Sequence, residues 1–159
     1  MSVEIIQQDD WVRLRAIRLN SLLVNPEAFG GIFEIESADD EFTWRQRFEK
    51  LDFLIASVDG IDAAVMSVEE LQGDFGATCW IGGCWSDPEY RGKGLFRAMF
   101  NFLDAQDRDW KIQGLGVFTD NDLAIAAYEK LGFVKMGEDQ ASTRQPGKFY
   151  QRMIRKTVN

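Results

Sequence analysis

The sequence predicts a mixed α/β fold with a central, mostly antiparallel sheet of mixed strand direction. Asp59-Gly60 separates two strand-like runs, and an Asp-Gly pair at such a place is typical of a two-residue hairpin turn. The periodicity becomes helical from residue 94 and returns to a strand pattern at residue 112, which predicts a right-handed β-α-β crossover. The length of 159 residues suits one domain, expected over residues 1–159, with one core.

The first half of the chain is predicted to hold a strand, two helices and a three-stranded meander. These elements are a strand over residues 3–8, a helix from Asp9 or Asp10 to Val24, a helix over residues 39–50, and strands over residues 53–58, 61–69 and 77–85. Asn25-Pro26 ends the first helix, because the residue before proline avoids the helical conformation. Gly82-Gly83 interrupts the last strand and indicates a bulge or a close backbone approach.

The second half alternates helices and strands. Its predicted elements are a helix over residues 94–109, a strand over residues 112–118, a helix from Asn121 or Asp122 to Leu131, and strands over residues 133–137 and 148–156. Ala124, Tyr128 and Leu131 share one face of the second of these helices, and Gly132 is placed to end it. The whole pattern predicts six to seven strands flanked by about four helices.

Composition excludes several classes of function. The net charge of −8 argues against general nucleic-acid binding, which needs a basic surface. No apolar run approaches the ~20 residues that span a bilayer, and the first ten residues carry acids where a secretory signal carries lysine or arginine, so a cytoplasmic protein without a membrane segment is expected. The chain has no histidine and two cysteines, Cys79 and Cys84, which argues against a structural zinc site; we expect no metal, and reduced thiols rather than a disulfide.

The segment SDPEYRGKGLFRAMF, residues 86–100, places glycines and cations where a strand gives way to a helix. The first amides of a helix lack internal partners, and glycines let an anion approach them, so the segment predicts a phosphate cradle. A solvated glycine turn is an equally good interpretation of these residues alone. Lys93 is followed by glycine rather than serine or threonine, which excludes a P-loop, and Arg97 stands where a dinucleotide fingerprint has its third glycine.

Two motifs together resemble the GNAT N-acetyltransferase superfamily. Arg91, Gly94 and Phe96 match that family's Arg/Gln-x-x-Gly-x-Gly/Ala signature, except that Phe96 replaces a small residue. Residues 121–133, NDLAIAAYEKLGF, are similar to the second signature, in which asparagine and tyrosine stand seven positions apart. Residues 17–30 and Trp44 also resemble the first two helices of many members, so the resemblance covers nearly the whole chain.

The resemblance implies acetyl-CoA as acetyl donor, bound where the third meander strand splays from its neighbour at the bulge. The pantetheine is expected along Cys84, Trp85 and Ser86, and Asn121 and Tyr128 complete the cleft. The diphosphate is expected on the backbone amides of one loop: Arg91, Gly92, Lys93, Gly94, Leu95, Phe96 and Arg97.

The resemblance also implies direct attack of a neutral amine on the thioester. Tyr128 is the expected proton donor to the departing thiolate, and a backbone N–H near Trp85 is expected to stabilise the oxyanion. For Tyr128, a purely structural place in the core is the alternative. For the general base we name Glu70 and Glu34 as candidates, with Glu36, Glu69 or a water chain as further alternatives.

Two functional hypotheses remain at this point. The first is an N-acetyltransferase for a primary amine of a small molecule or peptide, where the acidic net charge favours a cationic acceptor. The second is a non-catalytic acyl-CoA-binding sensor or interaction domain, suggested by Phe96 and by the lack of an obvious base. The resemblance further implies a homodimer, which the antiparallel strands near the C-terminus could form by pairing between subunits.

Overall fold

One open, seven-stranded sheet organises the computed structural model, which describes residues 1–157. The strands are β1 (Ser2–Ile6), β2 (Asp52–Val58), β3 (Ile61–Glu70), β4 (Cys79–Ser86), β5 (Ile112–Phe118), β6 (Val134–Ala141) and β7 (Phe149–Lys156). The α-helices within the described range are α1 (Trp11–Val24), α2 (Phe33–Glu36), α3 (Glu41–Gln46), α4 (Leu95–Asp104) and α5 (Asp122–Lys130). The predicted fold class is confirmed. Residues 158 and 159, which the single-domain prediction includes, lie outside the described range.

The strand order is β1-β2-β3-β4-β5-β7-β6, and β4 with β5 forms the parallel pair. The other neighbouring strands within the described residues are antiparallel. Helix α4 connects β4 to β5, as the predicted crossover requires. Asp59 and Gly60 both have positive φ, 51° and 78°, which is the backbone conformation of the predicted hairpin turn.

Helices cover both faces of the sheet around two apolar clusters. Leu54 and Ala56 of β2 pack in the cluster that contains α4 and α5, whereas Phe53 and Ile55 pack in the cluster that contains α1 and Trp44. Alternate residues of one strand therefore enter opposite cores. This explains why β2 is a continuous apolar run rather than an alternating one.

The sheet opens between β4 and β5. These strands pair only from Cys79 to Ile81 on one side and from Gln113 to Leu115 on the other, although both continue further. The β3–β4 register shifts just beyond Gly82, and Gly83 has a positive φ of 57°. The Gly82-Gly83 pair therefore marks a β-bulge, as predicted, and the two strands diverge beyond it.

Several elements differ from the predictions. Strand β1 ends at Ile6 rather than at residue 8, and α3 covers Glu41–Gln46 rather than residues 39–50. Helix α4 ends at Asp104 rather than near Asp109, because Arg108 forms ion pairs with Asp52 at 2.8 Å and Glu70 at 2.9 Å while Trp110 turns into the core. The one-turn helix α2 was not predicted, since four residues give no helical periodicity. Strand β6 continues to Ala141 instead of ending at residue 137.

Candidate active site

The glycine-rich loop presents unpaired amides at the start of a ten-residue helix. Gly92 and Gly94 have φ of 79° and 78°, and the first i to i−4 hydrogen bond of α4 runs from the Ala98 N–H to the Gly94 carbonyl. The amides of residues 95–97 therefore precede the first bonded turn. A Cβ added at Gly92 or Gly94 would meet no atom within 4 Å, so the space beside the loop is open. This arrangement fits a phosphate group.

The three cations of the loop lie in different environments. Arg91 Nε donates to the Ser86 carbonyl and its Nη2 to Asn25 Oδ1, each at 3.1 Å, so this side chain braces the loop against β4. Lys93 lies 5.2 Å above the Tyr90 ring, and both Lys93 and Arg97 are exposed. Lys93 and Arg97 are thus the loop cations that remain accessible to an anionic ligand.

The end of β4 exposes backbone groups toward the opening. The Asp87 N–H donates to the Ala63 carbonyl of β3 at 2.8 Å, and Trp85 lies opposite Val65. In an antiparallel ladder the bonding direction alternates, so the backbone of Trp85 faces β3 and that of Ser86 faces the gap. The half-buried Cys84 lies at the bulge. An extended ligand could pair with this strand by adding to its free edge.

Helix α5 places Tyr128 beside the bulge. Asn121 caps the helix, because its Oδ1 accepts the Ala124 N–H at 3.3 Å, and Tyr128 follows two turns later. Tyr128 is only 6% exposed, contacts Cys84, and stacks on Phe96 with ring centroids 6.3 Å apart. The ring stack gives a structural reason for the large residue at position 96. Burial, together with the Cys84 thiol, raises the pKa of Tyr128 well above its ordinary value of 10, so the hydroxyl keeps its proton.

An ion pair lies at the bulge on the opposite face of the sheet. Arg18 of α1 donates from Nε and Nη2 to the two carboxylate oxygens of Glu36 at 2.9 and 3.0 Å. Arg47 also contacts Glu36, at 3.4 Å. A Cβ built on Gly83 would lie 3.6 Å from Arg18 Nη1, so this guanidinium borders the bulge. The bulge therefore has Tyr128 on one face and a charged pair on the other.

The segment from Asn25 to Gly30 is attached to both sides of the opening. On the β4 side, Asn25 Oδ1 accepts from Trp85 Nε1 at 2.9 Å and from Arg91. On the other side, Gln145 Nε2 donates to the Phe29 carbonyl and Lys148 Nζ donates to the Glu27 carbonyl at 2.8 Å. We call residues 25–30 the bridge segment. It encloses the opening on the α1 face.

The structure separates the carboxylates considered as general base. Glu70 pairs with Arg108 and lies opposite Cys79, at the end of β4 away from the bulge. Glu34 is exposed on α2. Glu36, two residues later, has a side chain only 13% exposed in its ion pair with Arg18. Glu34 and Glu36 are the same residue type two positions apart, so the sequence does not distinguish them. The structure distinguishes Glu36 by its ion pair with Arg18.

Family comparison agrees with this geometry. The sequence profile described as the acetyltransferase (GNAT) family matches residues 16–133, about three quarters of the chain. The chain belongs to the GNAT acetyltransferase family. No curated protein sequence is significantly similar to this GNAT chain.

Solved structures share the complete fold of this GNAT domain. A ribosomal-protein-alanine N-acetyltransferase from Brucella melitensis has 18% identity and a TM-score of 0.75, covering 99% of this chain and 100% of its own. A GNAT-family acetyltransferase from Streptococcus pneumoniae has 16% identity and a TM-score of 0.76, covering 99% of each chain. A putative acetyltransferase from Salmonella typhimurium, solved with its cofactor acetyl-CoA, has 16% identity and a TM-score of 0.75, covering 100% of this chain and 95% of its own. At these identities the similarity establishes the fold.

Three further observations concern the described residues of this GNAT chain. In residues 1–157, no helix combines the length and apolar character that crossing a bilayer requires. Over the same range, the side chains of histidine, cysteine, aspartate and glutamate form no group of three or more suited to holding a metal. Cys79 and Cys84 are both free thiols, as expected from their spacing.

Proposed function

We propose that this chain is an acetyl-CoA-dependent N-acetyltransferase that transfers the acetyl group to a primary amine of a small molecule or peptide. One observation carries the proposal: β4 and β5 diverge beside the free amides of α4, with a protonated Tyr128 at the base of the opening. Family membership and a neighbour of the same fold solved with acetyl-CoA support the donor.

Two groups of backbone atoms would hold the coenzyme. The amides from Gly92 to Arg97 offer the positive end of the α4 dipole to its diphosphate, and Lys93 and Arg97 add charge nearby. The Arg91 amide, also named from the sequence, instead donates to the Pro88 carbonyl at 3.4 Å. At the free edge of β4, the backbone of Cys84 and the N–H of Ser86 offer hydrogen bonds to the pantetheine arm, whereas the Trp85 backbone faces β3 and the Ser86 carbonyl accepts from Arg91. We assign Asn121 to the start of α5, where its cap fixes the orientation of the helix that carries Tyr128.

Bound acetyl-CoA supplies an activated thioester, so the transfer forms an amide C–N bond and breaks the C–S bond. The amine loses a proton in this exchange and the departing thiolate gains one. Tyr128 is the proposed proton donor, since its raised pKa keeps the hydroxyl protonated at neutral pH. The amide of Ser86, which faces the gap, is the proposed hydrogen-bond donor to the carbonyl oxygen, in place of the amide of Trp85.

For the acceptor side we propose Glu36 in preference to the two acids named from the sequence. Glu36 borders the bulge through Arg18, whereas Glu70 lies at the far end of β4 from the bulge and Glu34 is exposed. A carboxylate at this place would hold the ammonium group of the acceptor before it loses its proton. The net charge of −8 also attracts a cationic amine from solution.

A non-catalytic acyl-CoA-binding domain is the second candidate, favoured by the contacts of one side chain. Tyr128 stacks on Phe96 and touches Cys84, which is also what a purely structural core tyrosine would do. The two candidates make the same prediction for coenzyme binding and opposite predictions for turnover.

The test combines binding with turnover. Calorimetric titration with coenzyme A should give a single site per chain, and purified protein with acetyl-CoA and a panel of amines should release free thiol. The panel should contain polyamines, aminoglycosides, amino acids and peptides with free N-termini. Binding without thiol release on any amine would favour the sensor, and absence of binding would refute both candidates.

We further propose a cytoplasmic homodimer. The free thiols Cys79 and Cys84 suit a reducing compartment. Strand β6 lies at one edge of the sheet with all eight residues exposed, which leaves its outer backbone groups available for pairing. Light scattering after size-exclusion chromatography should give twice the 18.2 kDa chain mass, and a single-chain mass would exclude the dimer.

A further inference from the structure

The Arg18–Glu36 pair lies beside two glycines, Gly31 and Gly83. A Cβ at Gly31 would overlap both the Glu36 carboxylate and the Arg18 guanidinium, and a Cβ at Gly83 would lie 3.6 Å from Arg18 Nη1. The absence of a side chain at Gly31 therefore makes the space that the pair occupies, and Arg18 Nη1 lies within contact distance of the bulge at Gly83. Because Gly83 belongs to the bulge, the pair borders the same opening that Tyr128 borders from the other face.

Arg18 uses only part of its hydrogen-bonding capacity. Its Nε and Nη2 donate to Glu36, while Nη1 is directed toward Gly83 and has no protein acceptor within residues 1–157. Nη1 is not a buried nitrogen without a partner, so it remains accessible to solvent. An arginine nitrogen left accessible at a reaction cleft is a donor suited to an anionic oxygen.

The charges around Glu36 restrict the ligand. Arg47 also contacts Glu36 and pairs with Asp39 at 3.1 Å, while its guanidinium stacks on Trp44 at 3.6 Å. Two arginines and two carboxylates balance, so a ligand with one positive and one negative group leaves the cluster neutral. A polyamine would instead bring two or more positive charges beside two arginines, which costs free energy in a half-buried site.

We propose that the acceptor is a free amino acid or a close analogue, a molecule in which the primary amine lies one or two carbons from a carboxylate. This rests on the proposed acetyltransferase function and names its substrate class. The carboxylate binds Arg18 Nη1, which lies beside Gly83, and the short spacing between the two groups keeps the amine at the bulge. The Glu36 carboxylate on the same guanidinium offsets the charge of the ammonium group. The bridge segment is hydrogen-bonded to Trp85, Gln145 and Lys148 and encloses the opening. This enclosure favours an acceptor of this size over a long peptide.

Matched acceptors test this proposal directly. Initial rates of thiol release should be compared for free L-amino acids, their carboxamides, the amines formed by decarboxylating them, spermidine, and a short peptide with a free N-terminus. The free acids should show kcat/KM about tenfold or more above their carboxamides, because a charge-assisted bond to arginine is lost in the amide. Equal or faster rates with carboxamides, spermidine or the peptide would overturn the amino-acid assignment alone. Absence of release with every amine would refute the acetyltransferase function itself.

Variants of Arg18 provide the second arm. Arg18→Lys keeps the charge but loses the planar fork, so the preference for acid over carboxamide should fall about tenfold while the Kd for coenzyme A changes less than about twofold. The matched control is Arg13→Lys on the same helix, since Arg13 makes a similar forked pair with Asp62 at 3.0 and 2.9 Å but away from the bulge. The control should keep the preference.

A binding readout covers the case in which Arg18→Lys alters folding. The double variant Arg18→Gln/Glu36→Gln removes both charges together, which avoids leaving a single charge unpaired. N-acetyl amino acids, which keep the carboxylate, should bind the wild-type coenzyme A complex in calorimetry and bind the double variant at least about tenfold more weakly. Equal affinity in the two proteins, or an unchanged acid preference in Arg18→Lys, would overturn the assignment.

Discussion

At the scale of single residues, Tyr128 shows how burial prepares a hydroxyl group for one task. The side chain is enclosed by Phe96, Phe133 and Cys84, and these apolar neighbours disfavour the phenolate more than the phenol. A buried proton donor keeps its proton across the neutral range and releases it only to a stronger base, such as a thiolate that cannot be solvated. The same burial that stabilises the core therefore supports the proposed chemistry.

Replacing this hydroxyl should separate catalysis from binding. Tyr128→Phe keeps the ring stack on Phe96 and removes only the donor, so kcat should fall about 100-fold or more while the Kd for coenzyme A stays nearly constant. Stopped-time thiol assays and calorimetry on the same preparation measure both quantities. Unchanged kcat would assign Tyr128 a structural role only.

The pH profile gives an independent test of the same residue. The donor form is the protonated one, and burial moves the pKa of Tyr128 well above 10, so deprotonation of Tyr128 should not reduce kcat at any pH below 10. We expect kcat of the wild-type protein to rise and then stay level up to pH 10 as the acceptor amine loses its proton. A descending limb between pH 7 and 10 that disappears in Tyr128→Phe would contradict the raised pKa.

At the scale of secondary-structure elements, the loop before α4 depends on two glycines with positive φ. Gly94 is the residue before the helix, with φ of 78° and no neighbouring atom that a Cβ would strike. An alanine here meets no steric obstacle other than its own backbone conformation, whose left-handed form costs about 1–2 kcal/mol. The loop would relieve this cost by changing the direction of the amides from Leu95 to Arg97.

Gly94→Ala should therefore weaken coenzyme A binding by about tenfold or more and lower the free energy of unfolding by about 1 kcal/mol. Gly60→Ala is the matched control, because Gly60 has the same φ of 78°, has open space around it, and lies in the β2–β3 hairpin turn. Denaturant titration should show similar destabilisation in both variants, and calorimetry should show weaker binding in Gly94→Ala alone. Equal coenzyme affinity in the two variants would mean that the loop amides do not bind the coenzyme.

The bridge segment couples the two halves of the site through one amide side chain. Asn25 Oδ1 accepts from both Trp85 and Arg91, so it joins the end of α1 to the β4 edge and to the glycine loop. Asn25→Ala leaves the Trp85 indole N–H, on a side chain that is almost fully buried, without its partner, which costs about 1–3 kcal/mol. We expect a lower melting temperature and a higher KM for both substrates, because β4 and the glycine loop both lose their hydrogen bond to the bridge segment. An increase in the KM of only one substrate would show that Asn25 does not couple the coenzyme side of the opening to the acceptor side.

The elements differ in how far their sequence determined them. The hairpin at Asp59-Gly60, the bulge at Gly82-Gly83 and the Asn121 cap depend on local backbone chemistry, which a sequence displays directly. The end of α4 depends instead on Arg108, whose partners Asp52 and Glu70 are distant in sequence. The placement of Glu36 beside Arg18 has the same character. Ion pairs formed between remote segments leave no periodic trace, so the hairpin, the bulge and the helix cap were predictable and the Arg18–Glu36 pair was not.

At the scale of the whole molecule, the sheet carries a gap that its own strands leave open. Pairing between β4 and β5 stops at Ile81 and Leu115, so the backbone groups beyond these residues that face the gap lack a strand partner. The amides from Leu95 to Arg97 lack helix partners. In the free protein, water can satisfy such groups. A ligand that satisfies them in the folded state alone shifts the unfolding equilibrium toward the folded protein.

Coenzyme A should consequently raise the melting temperature of the chain. At a ligand concentration 100 times Kd, linkage adds about 2.7 kcal/mol, which for a domain of this size corresponds to roughly 5–10 °C. Pantetheine, which lacks the diphosphate, should raise the melting temperature much less, because it fills the β4 edge without engaging the amides from Leu95 to Arg97. Scanning calorimetry with each ligand at equal concentration distinguishes the two contributions. Equal shifts would mean that the β4 edge, rather than the glycine loop, supplies most of the binding free energy. The absence of any shift would mean that this opening does not bind coenzyme A.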